Sequence, residues 1–143
     1  MRRLVLKLGL GIAVLSLAAC SSMPSWVPFT GATSVKLSGA EEVPPVSTSG
    51  SGKGSFRIAG DGSVSGSIST TGVQGAAAHI HMGAKGQNGP VIVPLTKNGD
   101  SYSVPEGKKL TEAQMNAFKA GGLYVNVHSP SHKGGEVRAQ LQP

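Results

Sequence analysis

Short runs of alternating apolar and polar residues, separated by turn residues, fill the chain from residue 34 onward. Phe56 and Ile58 alternate with Ser55 and Arg57, and Val64, Gly66 and Ile68 alternate with serines. A period of two marks strands with one packed face and one wet face. Gly60-Asp61-Gly62 lies between these two runs and signals a hairpin. The same pattern predicts strands at residues 34–38, 54–59, 63–70, 76–82, 91–95, 101–104, 123–128 and 136–141. Residues 41–46 read as extended, because the residue before each of Pro44 and Pro45 is pushed to β or polyproline geometry. Residues 47–54 read as a flexible Ser/Gly loop. One segment departs from the pattern. Thr111-Glu112-Ala113-Gln114 opens as a capping box, and Met115, Phe118 and Gly121-Gly122 predict a short helix after it. The expected fold is all-β: an antiparallel Greek-key sandwich or barrel with one short helical insert, spanning residues 34–143.

The start of the chain is of another kind. Arg2, Arg3 and Lys7 precede an uncharged run from Leu8 to Ala19, which is too short to span a bilayer. Residues 1–19 therefore read as a signal peptide. Leu17-Ala18-Ala19-Cys20 resembles the bacterial lipobox, which implies that Cys20 becomes the lipidated N-terminus of the mature chain. Ser21, where Gram-negative sorting rules would place aspartate for inner-membrane retention, points to the outer membrane. Residues 20–33 contain Pro24 and Pro28 and no period, and read as a lipidated tether. The expected location is the cell envelope, with the membrane as partner through the lipid on Cys20.

Composition narrows the function classes. Of 143 residues only 14% are charged, and 21 are glycine and 9 proline, a mix that disfavours helical bundles and coiled coils. A single cysteine excludes a disulfide framework and a four-thiolate zinc site. The formal charge of +6 is misleading. The signal peptide removes three of 13 basic residues and none of seven acidic ones, leaving +3 on the mature chain. That balance, with three Phe, two Tyr and one Trp, argues against a nucleic-acid partner.

All four histidines lie in two segments, His79-Ile80-His81 and His128-Ser129-Pro130-Ser131-His132. On a strand His79 and His81 share a face, with Cα atoms roughly 6.5–7 Å apart, while Ile80 faces the core. In 123–128, Leu123, Val125 and Val127 share the packed face, and Tyr124, Asn126 and His128 the other. In 136–141, Val137, Ala139 and Leu141 oppose Glu136, Arg138 and Gln140. If the strands are neighbours, His79, His81 and His128 form one cluster on an outer, polar face. His132 follows Pro130 in a turn beside Gly134-Gly135 and is a fourth, peripheral candidate. Met82 has core-face parity. Imidazole suits Cu, Zn, Ni and Fe; outside the cytoplasm, without thiolate, copper comes first and zinc second.

Other chemistry finds little support. No G-x-S-x-G places a serine nucleophile. Glu41 and Glu42 are adjacent, so they diverge on an extended chain and read as solvated. Gly83 to Gly89 is glycine-rich but lacks the Lys-Ser/Thr ending of a phosphate loop, and reads as a tight turn. Lys108-Lys109 reads as a solvated pair.

Four blocks occur in one order: Leu37-Ser-Gly-Ala-Glu-Glu-Val-Pro-Pro-Val46; Ala78-His-Ile-His-Met-Gly83 with Gly86-Gln-Asn-Gly-Pro-Val91; Gly122-Leu-Tyr-Val-Asn-Val-His128; and Gly135-Glu-Val-Arg-Ala-Gln-Leu141. Together they resemble the CHRD (chordin) domain, a family that includes bacterial secreted proteins and lipoproteins, and the resemblance implies an all-β domain. More remotely, H-x-H followed by a glycine turn is similar to the copper strand of Cu/Zn superoxide dismutases. This chain departs from them in its short turn to Pro90 and in lacking a zinc subsite and a disulfide. The expected function is to bind, sequester or deliver a transition metal, copper first, rather than to catalyse a reaction. A structural or adhesive envelope domain and a small copper redox enzyme are the alternatives the residues leave open.

Overall fold

The computed structural model describes residues 31–143. The expected signal peptide, Cys20 and most of the expected tether lie outside the described residues. Nine strands and one helix follow in the order β1 (Thr33–Ser38), β2 (Ser51–Ile58), β3 (Val64–Thr71), β4 (Ala77–Met82), β5 (Val91–Pro94), β6 (Thr96–Asn98), β7 (Ser101–Ser103), α1 (Glu112–Lys119), β8 (Leu123–His128) and β9 (Val137–Leu141). All strand pairs are antiparallel, in the spatial order β5-β4-β8-β9-β1-β2-β3-β7-β6. Only Leu95 separates β5 from β6, so one run of chain leaves the β4 edge and joins the β7 edge. The Leu95 amide donates to the Ala78 carbonyl at 3.0 Å. The sheet thereby curls into a nearly closed barrel, as the all-β reading requires.

The apolar half of each alternating strand fills the interior. Val35 and Leu37 of β1, Phe56 and Ile58 of β2, Ile80 of β4, Val125 and Val127 of β8 and Val137 of β9 are all buried there. Burying each such side chain contributes about 1.5–3 kcal/mol. The helix closes the barrel with Met115 and Phe118, and its N-terminus is the expected capping box. The Gln114 amide donates to Thr111 Oγ1 at 3.3 Å, and the Thr111 amide donates to Gln114 Oε1 at 2.9 Å.

Three segments differ from the sequence expectation. The Ser/Gly stretch at 47–54 is not all loop, because β2 begins at Ser51. Its glycines suit a strand packed tightly against its neighbour: a Cβ on Gly54 would run into the Ser67 carbonyl and the Ile68 backbone of β3. Residues 41–46 are not a plain extended run. A 3-10 turn at Gly39–Glu41 closes with the Glu42 amide donating to the Gly39 carbonyl at 3.1 Å. β6 carried no sequence signal, since all three of its residues are exposed and polar. It exists through backbone pairing with β7.

Candidate functional site

Strand register builds the site. In the β4–β8 pair, His79 lies opposite Asn126, His81 opposite Tyr124, and Ala77 opposite His128. His128 is therefore the diagonal neighbour of His79, and all three imidazoles emerge from the outer face of the barrel. Ring centroids are 5.6 Å apart for His79–His81, 4.9 Å for His79–His128 and 6.0 Å for His81–His128. One ring nitrogen of each lies within 4.8 Å of those of the other two.

The protons on two of these rings are fixed by the backbone. His81 Nδ1 lies 2.9 Å from the Gly89 carbonyl, and His128 Nδ1 lies 2.9 Å from the Lys133 carbonyl. A carbonyl only accepts, so each Nδ1 is protonated and donates. Each Nε2 then carries a free lone pair. His81 Nε2, His128 Nε2 and His79 Nδ1 are all shut off from solvent with no hydrogen-bond partner. Buried polar atoms are almost always paired, so three orphans in one cluster need an explanation. Burial lowers the pKa of His79, and the neighbouring His128 and His81 lower it further. Burial also lowers that of His81, against the opposing effect of its bond to Gly89. Both rings are thus kept in the neutral form that a metal requires.

The face around the cluster is polar but not wet, which overturns the sequence reading. Tyr124 is 2% exposed, Asn126 2%, His81 7% and Arg138 1%. Two segments roof this part of the barrel: the glycine-rich loop 83–90 and the segment around Glu42. Arg138 ties the loop down. Its guanidinium donates to the carbonyl of Gln87 at 2.8 Å, to Asn88 Oδ1 at 3.2 Å and to the carbonyl of Ala84 at 3.4 Å. Gln140 donates to the carbonyls of Gly83 at 2.9 Å and Gly121 at 2.7 Å. Asn88 Nδ2 donates to the Val43 carbonyl at 2.7 Å, which joins the two parts of the roof. At the end of the loop the Gly89 amide donates to Tyr124 Oη at 3.1 Å, so Gly89, whose carbonyl orients His81, is held through both its amide and its carbonyl.

Stacking completes the arrangement. The Tyr124 ring lies parallel to His81, with centroids 4.7 Å apart and planes 6° from parallel. The Arg138 guanidinium carbon sits 3.4 Å from the centre of the Tyr124 ring. Glu42 is buried rather than solvated, at 4% exposure. Burial raises its pKa to about 7, against the lowering effects of Asn126 and Arg138.

The remaining candidates sit apart. His132 is in the turn after β8, where its amide donates to the Ser129 carbonyl at 3.1 Å and to Ser129 Oγ at 3.2 Å. It is not among the three clustered histidines. Met82 packs against the core, as its parity indicated. Lys109 is exposed but paired with Asp61 at 2.9 Å. Sequence reasoning missed Tyr124, Asn126, Arg138 and Glu42 as site residues. It also missed the two carbonyls that orient the imidazoles. The one hint was a glycine-rich loop directly following H-x-H.

A family model for the CHRD domain matches residues 33–141. The chain belongs to the CHRD domain family. Nearly the whole described barrel, with all three clustered histidines and both roofing segments, falls inside that match. No curated protein and no solved structure shows significant similarity to the chain. A CHRD domain is an extracellular-type domain.

Proposed function

We propose that this CHRD protein is a lipid-anchored envelope protein whose barrel binds one transition-metal ion, copper first and zinc second, through His79, His81 and His128. One observation carries the reading: three solvent-shielded imidazole nitrogens converge without a hydrogen-bond partner, and two of them are aimed by backbone carbonyls. Carbonyl or carboxylate partners on the far ring nitrogen are the usual second shell of a histidine metal site. Metal–imidazole bonds of about 2.0–2.1 Å require the three nitrogens to draw in slightly from their 4.8 Å limit, which small side-chain rotations supply. The ion replaces three unmade hydrogen bonds. Carrying or sequestering it at the envelope is the role that fits a tethered domain.

Equilibrium dialysis of the purified protein against copper and zinc tests the reading. The expected stoichiometry is one ion per chain. His79→Ala, His81→Ala and His128→Ala each weaken binding more than tenfold, about 1.4 kcal/mol, and His132→Ala leaves it unchanged. Failure of the native chain to bind either ion, or full affinity in His79→Ala or His128→Ala, overturns it.

A further inference from the structure

The donor set is uncharged. Among the described residues no carboxylate or thiolate joins the three imidazoles, and the donor nitrogens are closed to solvent. The surroundings are electropositive. Behind His81 lies the Tyr124 ring, and against that ring lies Arg138. Arg138 is 1% exposed and forms no ion pair within hydrogen-bond reach. Its donors go to the neutral oxygens of Asn88, Ala84, Gln87 and Gln140. Glu42, the carboxyl near enough to feel its charge, is pushed toward the protonated form by burial.

Three physical consequences act in one direction. The cost of taking an ion out of water grows steeply with its charge, so a divalent ion loses most on entering a shielded site. No anionic ligand offsets that loss. Repulsion from the buried guanidinium is twice as large for a divalent ion as for a monovalent one. A divalent copper or zinc ion also completes its shell with a water or anion in an open position, whereas a d10 monovalent copper ion is satisfied by three nitrogens. Resting on the metal-binding reading above, we infer that the His79–His81–His128 site selects copper in its monovalent state over divalent copper and zinc.

The test compares dissociation constants for the purified protein. Monovalent copper is measured without oxygen against a bicinchoninate competitor, and divalent copper and zinc are measured against competing chelators. The expected result is binding of the monovalent ion at least a hundredfold tighter than divalent copper. That ratio raises the reduction potential of the bound couple by about 120 mV over the free ion, at 59 mV per tenfold. Arg138→Gln should narrow the ratio at least tenfold; if that variant does not fold, the ratio of the native protein alone decides. Divalent copper bound as tightly, with a one-equivalent EPR signal lost in His79→Ala, overturns the selectivity and leaves the metal site standing. Failure to bind copper in either state removes both.

Discussion

Glu42→Gln exchanges a buried carboxyl for a neutral side chain of the same shape. In the unfolded chain this carboxyl titrates near 4.5, and in the folded barrel burial raises it to about 7. Between those values the folded state holds a proton that the unfolded state has released. The contribution of Glu42 to stability therefore falls as pH rises from 4.5 to about 7, then levels off. A separation of about 2.5 units, at 1.36 kcal/mol each, amounts to about 3 kcal/mol on the alkaline side. The glutamine variant does not carry this titration. Urea unfolding of metal-free protein should give variant and native chains of equal stability near about pH 4, with the variant ahead by about 3 kcal/mol near about pH 8. His79 and His81 titrate in the opposite sense, but they are present in both proteins and cancel in the difference. A difference independent of pH, or a variant less stable at alkaline pH, would refute the reasoning and make Glu42 an ionised partner of Arg138.

Ile80 sits between two candidate ligands but is fully buried in the core; Ile80→Ala should cost about 2–5 kcal/mol of unfolding free energy by denaturant titration. His79 and His81 have folded-state pKa values below the ordinary 6.5. The unfolded chain thus takes up protons first, and stability should decline as pH falls below about 6.5; a melting temperature flat from about pH 7 to 5 in Glu42→Gln would contradict this. Cys20→Ser should leave an unprocessed precursor without lipid, seen as a mass shift and as loss of acyl labelling. A native mature protein that is soluble, with a free thiol at residue 20, would contradict the anchoring proposal.

Much of the barrel was legible because its apolar residues obey the period of a strand. Val64, Ile68, Val125 and Val127 announce an inner face wherever the strands finally pair. Parity also placed His79, His81 and His128 on one side. Their meeting depends on β4 pairing with β8 in the register that sets His79 against Asn126, a long-range choice no local pattern encodes. The roof was not legible for a different reason. A run such as Tyr124, Asn126 and Arg138 looks solvated, because polar residues usually are. Here the Arg138 donors are met by oxygens of loop 83–90, Tyr124 Oη by the Gly89 amide and Asn126 Nδ2 by the Gly134 carbonyl, so they are buried with most of their hydrogen bonds kept. Glu42 was misread for the same cause: the Gly39–Glu41 turn and the anchoring of Val43 by Asn88 bring it inward. β6 was invisible because nothing in Thr96-Lys97-Asn98 is packed.

The central claim concerns which imidazole nitrogens are free, and long-range proton–nitrogen NMR on nitrogen-15-labelled protein reads this directly. In the metal-free chain the account predicts His81 and His128 as Nδ1-protonated tautomers, because both Nδ1 atoms face carbonyl oxygens at 2.9 Å. One equivalent of monovalent copper or zinc, both diamagnetic, should then move the resonances of His81 Nε2, His128 Nε2 and His79 Nδ1 and leave those of His132 in place. An Nε2-protonated His81 or His128, or metal-induced shifts that bypass these three nitrogens, would contradict it.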